Sequence, residues 1–204
     1  MNSNFSSLKA DKKERIVNAA MKQFVLSGYD KASTNEIVKD AQISKGSLFN
    51  YFTNKKELYM YLVENAIKIM DVIYDGIDMN ERDLFNRITQ IGLIKLEIQK
   101  KHPLVFDFLK STHEEQATEV KADIEKVMGN VLNEGLNRIY ENLDYSRFRD
   151  DVNPEKAFQI LNWTMAGFSE LQLKQLTSYK NVGVELINEW NSYSDILRRC
   201  FYKD

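Results

Sequence analysis

The side chains best suited to chemistry lie in residues 33–57. One short segment carries hydroxyl, ammonium, amide and phenol groups, at Ser44, Lys45, Ser47, Asn50 and Tyr51. Hydroxyl and ammonium groups bind phosphates, and an amide side chain can pair with an adenine edge through two hydrogen bonds. The segment therefore indicates contacts with DNA, with Asn50 as a candidate base contact.

Two short helices joined by a tight turn are predicted to position these groups. Ser33, followed three residues later by Glu36, is typical of a capping box at the start of the first helix. Ser44 can cap the second helix, in which Leu48 and Phe52 lie four residues apart and can anchor one face to a core. The polar residues then fall largely on the other face. This pattern is typical of a helix-turn-helix, whose second helix lies in the DNA major groove.

The same pattern also fits a generic helical hairpin with a solvated polar face, and geometry alone leaves the two interpretations nearly even. Two further features fit DNA binding. Gly46, in the first turn of the second helix, would allow close approach of the backbone to a phosphate or base. Asn54 and Glu57 predict a cap for a third, longer helix, and Lys55 would lie in its first turn, where the helix dipole favours an anion.

Residues 12–62 resemble the DNA-binding domain of the TetR family of bacterial transcriptional regulators. The N-terminal helix ends in the pattern F-x-x-x-G-Y, from Phe24 to Tyr29, and a Thr-x-x-Ile segment follows, from Thr34 to Ile37. The signature S-K-G-x-L-Y-x-Y-F-x-x-K-x-x-L comes next, as SKGSLFNYFTNKKEL. Many motif positions occur in order and with the correct spacing over roughly the first third of the chain. The resemblance favours the DNA-binding interpretation over the generic hairpin.

The resemblance implies DNA contacts position by position. The matching positions lie at the start of the first motif helix, in the recognition helix with its N-cap, and at the start of the next helix. In this chain they are Thr34, Ser44, Lys45, Gly46, Ser47, Asn50, Tyr51 and Lys55. Phe49 stands where the family usually has a tyrosine, whose hydroxyl commonly contacts a phosphate. Phenylalanine cannot make that hydrogen bond. We therefore expect weaker binding to the DNA backbone at Phe49, or a different set of contacts.

Composition and charge are consistent with a helical DNA-binding protein. The chain has 204 residues, of which 43% are hydrophobic, with only 2 prolines and 8 glycines. Because helix breakers are scarce and no alternating β-branched run occurs, we predict an all-α fold. Residues 1–60 hold ten basic and six acidic residues, whereas the remainder holds 18 basic and 24 acidic residues. A basic head on an acidic body favours DNA binding at one end, although chance could produce the same asymmetry.

The sequence offers little for catalysis or for metal binding. His102 and His113 are its only histidines and do not stand in a zinc-binding spacing, and no nucleophile or phosphate-loop motif occurs. Cys200 is the only cysteine, so no intrachain disulfide can form, which fits a reducing compartment. No apolar run approaches the ~20 residues of a membrane span, and no signal peptide is evident. We therefore expect a cytoplasmic, non-enzymatic protein with no cofactor and no membrane partner.

The periodicity of apolar residues predicts helices along most of the chain. The first is expected over about residues 11–27, after a frayed segment at 1–8; those beyond the helix-turn-helix are expected over about 55–75, 81–101, 104–110, 114–142, 154–177 and 182–201. We place a DNA-binding domain of three helices at residues 1–56. Residues 57–204 are expected to form a helical regulatory and dimerisation domain.

The last two predicted helices carry more apolar surface than one chain needs. In the TetR family the corresponding pair forms a four-helix bundle with a second copy, so the resemblance favours a homodimer. The alternative is that both helices are simply buried in one larger core. The expected interface residues are Phe158, Leu161, Met165, Phe168, Leu186, Trp190, Tyr193 and Leu197.

The region between residues 81 and 168 contains side chains that could line an apolar cavity: Phe106, Phe108, Met128, Trp163, Met165 and Phe168. Residue by residue, a filled core is the better interpretation. The resemblance, however, implies a small-molecule inducer bound in this domain, and the aromatic lining favours an apolar or amphipathic one. The sequence thus predicts a ligand-responsive regulator, in particular a repressor released from a palindromic DNA operator. The alternative is a non-enzymatic, all-helical protein-interaction module.

Overall fold

The computed structural model describes residues 3–176 and 178–203, and this part of the chain is all-helical, with no strand. The predicted all-α fold is confirmed. Ten α-helices follow in order: α1 (Ser3–Ser6), α2 (Ala10–Lys31), α3 (Thr34–Asp40), α4 (Lys45–Tyr51), α5 (Lys55–Asp75), α6 (Leu84–Lys101), α7 (Pro103–Glu114), α8 (Lys121–Tyr140), α9 (Pro154–Gln175) and α10 (Val184–Phe201). Within these residues, no helix is long and apolar enough to cross a membrane.

Two predicted boundaries between α7 and α8 are wrong. A break was expected near residues 111–113, but α7 continues to Glu114, and α8 begins only at Lys121. The reason lies in Glu115, whose carboxylate accepts hydrogen bonds from the backbone N–H groups of Gln116 and Ala117, each at 2.9 Å. A side chain that bonds the backbone in this way competes with the helical ladder. The start of α9 agrees with the prediction, because Asn153 caps it through Lys156 N–H at 3.0 Å.

The chain groups into two compact units. The first contains α1 to α4, α5 as far as Met70, α7, and α8 as far as residue 132; the second contains the rest of α5 and α8 together with α6, α9 and α10. Both α5 and α8 therefore have residues in each unit. The functional division predicted after residue 56 stays a prediction, because a spatial grouping does not show what either part does.

The core of the first unit is rich in aromatic rings. Helix α2 buries Ile16, Ala20 and Phe24, which repeat every four residues along one face. The ring of Phe24 meets that of Tyr59 edge-on, with centroids 4.8 Å apart. The expected fraying of residues 1–8 is wrong for the described part of that segment, because α1 forms and buries Phe5 completely. Burial of such a ring contributes roughly 1.5–3 kcal/mol, which is enough to hold a short terminal helix in place.

Gly28 interrupts α2 near its end, with φ of 67° and ψ of 175°. Only glycine adopts this backbone conformation without strain. The kink lets the backbone N–H of Tyr29 leave the helical ladder and donate to Glu115 Oε2 at 2.8 Å. The F-x-x-x-G-Y pattern therefore marks a bend that is held by a carboxylate from the segment after α7.

The second unit has its own apolar core and a network of buried charged side chains. The core cluster comprises Leu84, Phe85, Ile88, Leu143, Phe148, Ala157, Leu161, Trp190, Phe201 and Tyr202. Asp83 is fully buried and accepts from Arg147 at 2.8 Å and from Arg198 at 2.6 Å. Arg87, also buried, donates to the backbone carbonyls of Glu81, Ile139 and Glu141. Because removing one partner of a buried pair leaves an uncompensated charge, this network strongly constrains the second unit.

Candidate DNA-binding surface and ligand cavity

Helices α3 and α4 form the predicted helix-turn-helix, and side-chain caps fix the start of each. Ser33 Oγ accepts from the backbone N–H of Glu36 at 3.4 Å, and Ser44 Oγ accepts from that of Ser47 at 3.1 Å. Between them Gln42 has φ of 55°, a left-handed conformation that reverses the chain within a few residues. Both serine caps are therefore present, but among the described residues the Ser33 N–H makes no hydrogen bond to the Glu36 carboxylate, so the predicted capping box is only half formed.

Helix α4 buries one face and exposes the other, as the sequence predicted. Leu48 and the C-cap residue Phe52 are buried in the first unit, whereas Lys45 and Asn50 are exposed. The remaining predicted contacts in this helix-turn-helix are at least partly accessible: Thr34, Ser44, Gly46 and Ser47. Phe49 is 41% exposed, so it stands at the surface where a tyrosine hydroxyl would reach solvent.

Tyr51 was expected on the polar face of α4, but only 9% of its surface is exposed. Its ring lies 5.6 Å from that of Phe5, and Lys12 Nζ lies 5.8 Å from the Tyr51 ring centroid. Sequence reasoning missed this contact because the N-terminal segment was expected to be frayed. The Phe5 ring, apolar in an otherwise polar segment, was the available signal. A DNA contact by Tyr51 stays a prediction.

Lys55 has a structural role that sequence reasoning also missed. Its Nζ donates to the backbone carbonyls of Tyr29 at 2.8 Å and Asp30 at 3.0 Å, and lies 4.6 Å from the Tyr29 ring centroid. An ammonium group is well placed there because the last carbonyls of α2 lack helical partners and carry the negative end of the helix dipole. Contact of Lys55 with a phosphate stays a prediction, and would compete with these interactions.

The start of α5 is held by a reciprocal cap, as the sequence predicted. Asn54 Oδ1 accepts from the backbone N–H of Glu57 at 2.8 Å, and Glu57 Oε2 accepts from that of Thr53 at 2.6 Å. The hydrogen bond from Thr53 lowers the pKa of Glu57 below its ordinary value, because it stabilises the carboxylate form. This cap fixes the backbone immediately after α4.

The second unit contains a cavity of about 290 Å³. Its described walls are residues of α6, α9 and α10 together with Leu176, Tyr179, Val182 and Gly183, and all of these residues belong to this one unit. Of the six residues predicted to line a ligand cavity, Met165 and Phe168 do so. The volume is at the lower end of the range of small-molecule sites.

The other four predicted lining residues lie elsewhere. Phe106 and Phe108 are buried in the first unit, where Phe108 packs edge-on against Tyr59 with ring centroids 5.4 Å apart. Met128 lies half-buried in the part of α8 that belongs to the first unit, and Trp163 is 70% exposed on α9. Aromatic and thioether content therefore identified part of the cavity wall, but it could not separate lining residues from core and surface residues.

The predicted dimer residues also divide by environment. Leu161 and Trp190 belong to the core of the second unit. Four others are partly buried against this core: Phe158, Met165, Phe168 and Leu197. Leu186 lines the cavity. Tyr193 is exposed. The large apolar side chains that α9 and α10 expose include Ile160, Trp163, Leu171, Tyr193 and Ile196. Apolar periodicity therefore identified mainly the residues of α9 and α10 that pack toward the core, because it does not distinguish a core residue from an interface residue.

No metal centre is formed by the side chains that the structure describes: they contain no group of three or more His, Cys, Asp or Glu residues placed to hold an ion. His102 and His113, the two histidines, are exposed. The described surface of α4 offers hydrogen-bonding groups and a positive charge, at Lys45, Ser47 and Asn50.

An all-α chain with a capped helix-turn-helix, whose second helix exposes polar and basic side chains, defines the class of helix-turn-helix DNA-binding proteins. Comparison with known proteins agrees with this class. Residues 16–62 match the family model described as bacterial regulatory proteins, tetR family. The similarity to the tetR family model thus covers the helix-turn-helix together with parts of α2 and α5.

Individual relatives extend the similarity beyond the helix-turn-helix. The uncharacterized HTH-type transcriptional regulator YhgD of Bacillus subtilis is 25% identical over 122 residues, which are 60% of this chain and 64% of YhgD. IcaR, the negative transcriptional regulator of the biofilm operon icaADBC in Staphylococcus epidermidis, is 24% identical over 165 residues, covering 78% of this chain and 85% of IcaR. The match to YhgD thus spans slightly less than two thirds of that protein.

Among solved structures, the SmeT–triclosan complex superposes with a TM-score of 0.64 at 17% identity, covering 96% of this chain and 93% of that one. At this level of identity the similarity shows the fold alone. It shows that the fold similarity includes the C-terminal helices as well as the helix-turn-helix.

Proposed function

We propose that this protein is a ligand-responsive transcriptional repressor that binds a palindromic operator as a homodimer and is released from it by a small molecule. It acts in the cytoplasm, without a cofactor and without catalysis. The observation that carries the proposal is the exposed polar face of α4, anchored by buried Leu48 and Phe52 and preceded by the Ser44 cap. IcaR, a negative regulator by name, supports repression as the direction of control.

The proposed DNA surface consists of the start of α3 and the exposed side of α4. Ser44, Lys45, Gly46 and Ser47 stand at the leading turn of α4, which in helix-turn-helix proteins enters the major groove, and Lys45 is proposed to bind a phosphate there. Asn50 is exposed one turn later and is proposed to read a base pair. Thr34 is proposed to bind a phosphate, Phe49 to contact the backbone only through apolar atoms, and Tyr51 and Lys55 to contribute mainly by supporting the fold.

The proposed dimer interface is the exposed apolar stripe of α9, together with Tyr193 and Ile196 of α10. On α9, Ile160, Trp163 and Leu171 recur at helical spacing, with Gly167 between them. A Cβ atom added at Gly167 would meet nothing within 4 Å, so the stripe is open at its centre. A second copy is the occupant that suits such a stripe, because the C2 symmetry of a dimer pairs the same surface with itself. Two recognition helices related by this axis would read half-sites about 34–36 Å apart, or at a related spacing.

Ligand control is proposed to start at the cavity in the second unit. A ligand that fits only one arrangement of α6, α9 and α10 shifts the population toward that arrangement. Because α5 and α8 have residues in both units, a change in the second unit is passed along continuous helices to the first. A coupling free energy of ~2 kcal/mol would weaken operator binding roughly thirtyfold.

Selection of duplex DNA from a random library by the purified protein, followed by sequencing, tests this function. We expect enrichment of one inverted repeat, and loss of the repeat when Lys45 and Asn50 are both replaced by alanine. A library without enrichment, together with capture of a protein through α3 and α4, would instead support the protein-interaction module.

A further inference from the structure

The cavity in the second unit has a polar end and an apolar end. Helices α6 and α10 run antiparallel along it. Thr89 donates to Asn191 at 3.1 Å, and a Cβ atom built on Gly92 would lie 3.9 Å from Ile187. Further along α6, Gln99 donates to the carbonyl of Tyr179, which precedes α10, at 3.2 Å. The lining part of α6, from Ile88 to Gln99, is roughly 16 Å long at 1.5 Å per residue. The cavity therefore extends along α6.

One end of the cavity is apolar. Phe168 and Trp190 pack there with ring centroids 5.5 Å apart, and Ile88 belongs to the same core cluster as Trp190. Met165 also lines the cavity and packs partly against this cluster. A hydrocarbon chain or an aromatic ring placed against these side chains would lose water on the side that contacts them, which is the main source of affinity for apolar ligands.

The other end is polar and carries a positive charge. Lys95, Gln99, Gln172 and Tyr179 line it, and Lys95 is the only charged residue among those that form the described walls. Within the described chain, Lys95 makes no hydrogen bond to a side chain or carbonyl and has no acidic group within ion-pair distance. Its side chain remains accessible to solvent, and partial desolvation by the surrounding protein lowers the pKa of its ammonium group below the ordinary lysine value. A lysine in such surroundings is stabilised by an anion that enters the cavity.

We propose that the ligand of this cavity is an anionic amphiphile whose carboxylate pairs with Lys95 and whose apolar body extends toward Phe168 and Trp190. This inference rests on the proposed function, since it names the chemical class of the molecule that controls the regulator. It also narrows the ligand beyond an apolar or amphipathic molecule, because a neutral or cationic compound would leave Lys95 without a partner. Glu185, whose carboxylate lies against Gly183 in the cavity wall, is the acidic group that an alternative cationic ligand would use.

Three alkyl probes of equal length test the proposal in the full-length protein: decanoate, decanol and decylamine. Calorimetry and thermal shift measure their binding without DNA, so the result does not depend on operator recognition. We expect decanoate to bind at least about tenfold more tightly than decanol, as a partly buried, charge-assisted hydrogen bond should provide.

The variant Lys95→Met should bind decanoate no better than decanol, while its affinity for decanol stays at the wild-type level and shows that the cavity is intact. Lys100→Met, on the same helix but outside the cavity wall, is the matched control and should bind all three probes like the wild type.

Equal binding of decanoate and decanol by the wild type, or no binding of any probe, would overturn the proposal. So would tight decanoate binding by Lys95→Met, or a preference for decylamine that Glu185→Gln removes. In each of these cases operator binding by the ligand-free protein, measured separately, shows whether the proposed regulator itself still stands.

Discussion

Lys45 and Lys55 are ten residues apart in the candidate DNA-binding surface, but their surroundings differ. Lys45 is exposed at the leading turn of α4, and its ammonium group has no hydrogen bond or ion pair to any described residue. Lys55 is partly buried and already bonded to two carbonyls at the end of α2. The same side chain is therefore expected to bind DNA at one position and to hold the fold at the other.

Replacement of Lys45 by alanine should weaken binding to all DNA sequences alike and reduce the salt slope by about one unit, because one phosphate contact is lost. Asn50→Ala should instead relax the preference at one base pair, by roughly 1–3 kcal/mol. Fluorescence anisotropy on an operator and on its single-base variants, at several salt concentrations, measures both effects. Wild-type affinity and specificity in both variants would contradict the assignment of α4 as the recognition helix.

Lys55→Ala should lower the free energy of unfolding by about 1–2 kcal/mol, because the carbonyls of Tyr29 and Asp30, the first of them partly buried, lose a charged donor. Lys56→Ala is the matched control, since Lys56 forms a surface ion pair with Asp123 at 2.8 Å. Such a pair contributes about 0–1 kcal/mol, so this variant should be nearly as stable as the wild type. Urea denaturation compares them, and equal stability of the two variants would argue against the structural role of Lys55.

Helix positions and caps were predictable from the sequence because they depend on neighbouring residues. Ser33, Ser44, Asn54 and Asn153 cap the helices at which the sequence placed them. Contacts between distant segments were not predictable. The bond between Lys55 and the Tyr29 carbonyl spans 26 residues, and no local pattern indicates it.

At the scale of elements, α9 shows why the candidate site was only partly predictable. The helix is apolar on more than one side, and the sequence alone cannot assign one side to the core, one to a cavity and one to a partner. The structure places Leu161 in the core, Phe168 at the cavity and Trp163 at the surface. The burial of each side chain depends on the whole fold, and it distinguishes a core residue from a cavity-lining residue and from a surface residue.

Trp163→Asp should convert the protein from dimer to monomer, because a carboxylate on the exposed stripe of α9 would be desolvated in the interface. Leu26→Asp is the control: Leu26 is 71% exposed on α2, outside α9 and α10. Sedimentation velocity at micromolar concentration should show a dimer for the wild type and for Leu26→Asp, and a folded monomer for Trp163→Asp. A monomeric wild type, or a Trp163→Asp dimer, would exclude this interface.

Trp190→Ala should act on folding, because Trp190 lies in the core of the second unit rather than at its surface. Truncation of a buried tryptophan costs about 3–5 kcal/mol. Thermal unfolding of this variant should therefore begin well below that of the wild type. An unchanged melting temperature, with loss of the dimer, would show that the sequence-based assignment of Trp190 to the interface was better than the structural one.

The proposed regulator combines a basic N-terminal part, proposed to bind DNA, with a helical body that is proposed to bind a ligand. Residues 1–60 carry a net charge of +4, whereas the remaining residues carry a net charge of −6. The N-terminal part and the rest of the chain therefore have net charges of opposite sign. Association with DNA should therefore depend steeply on salt, while binding of an amphiphile in the cavity of the second unit should depend on it much less.

Sequence-specific DNA binding is tested by the affinity of the wild-type protein for its selected operator, compared with its affinity for a scrambled duplex of the same composition. Fluorescence anisotropy at near-physiological salt should show the operator bound at least about a thousandfold more tightly, as is typical of specific regulators. It should also show two protein chains per inverted repeat and a steep fall in affinity with added salt. Equal affinity for the two duplexes, or binding that salt does not weaken, would contradict the claim.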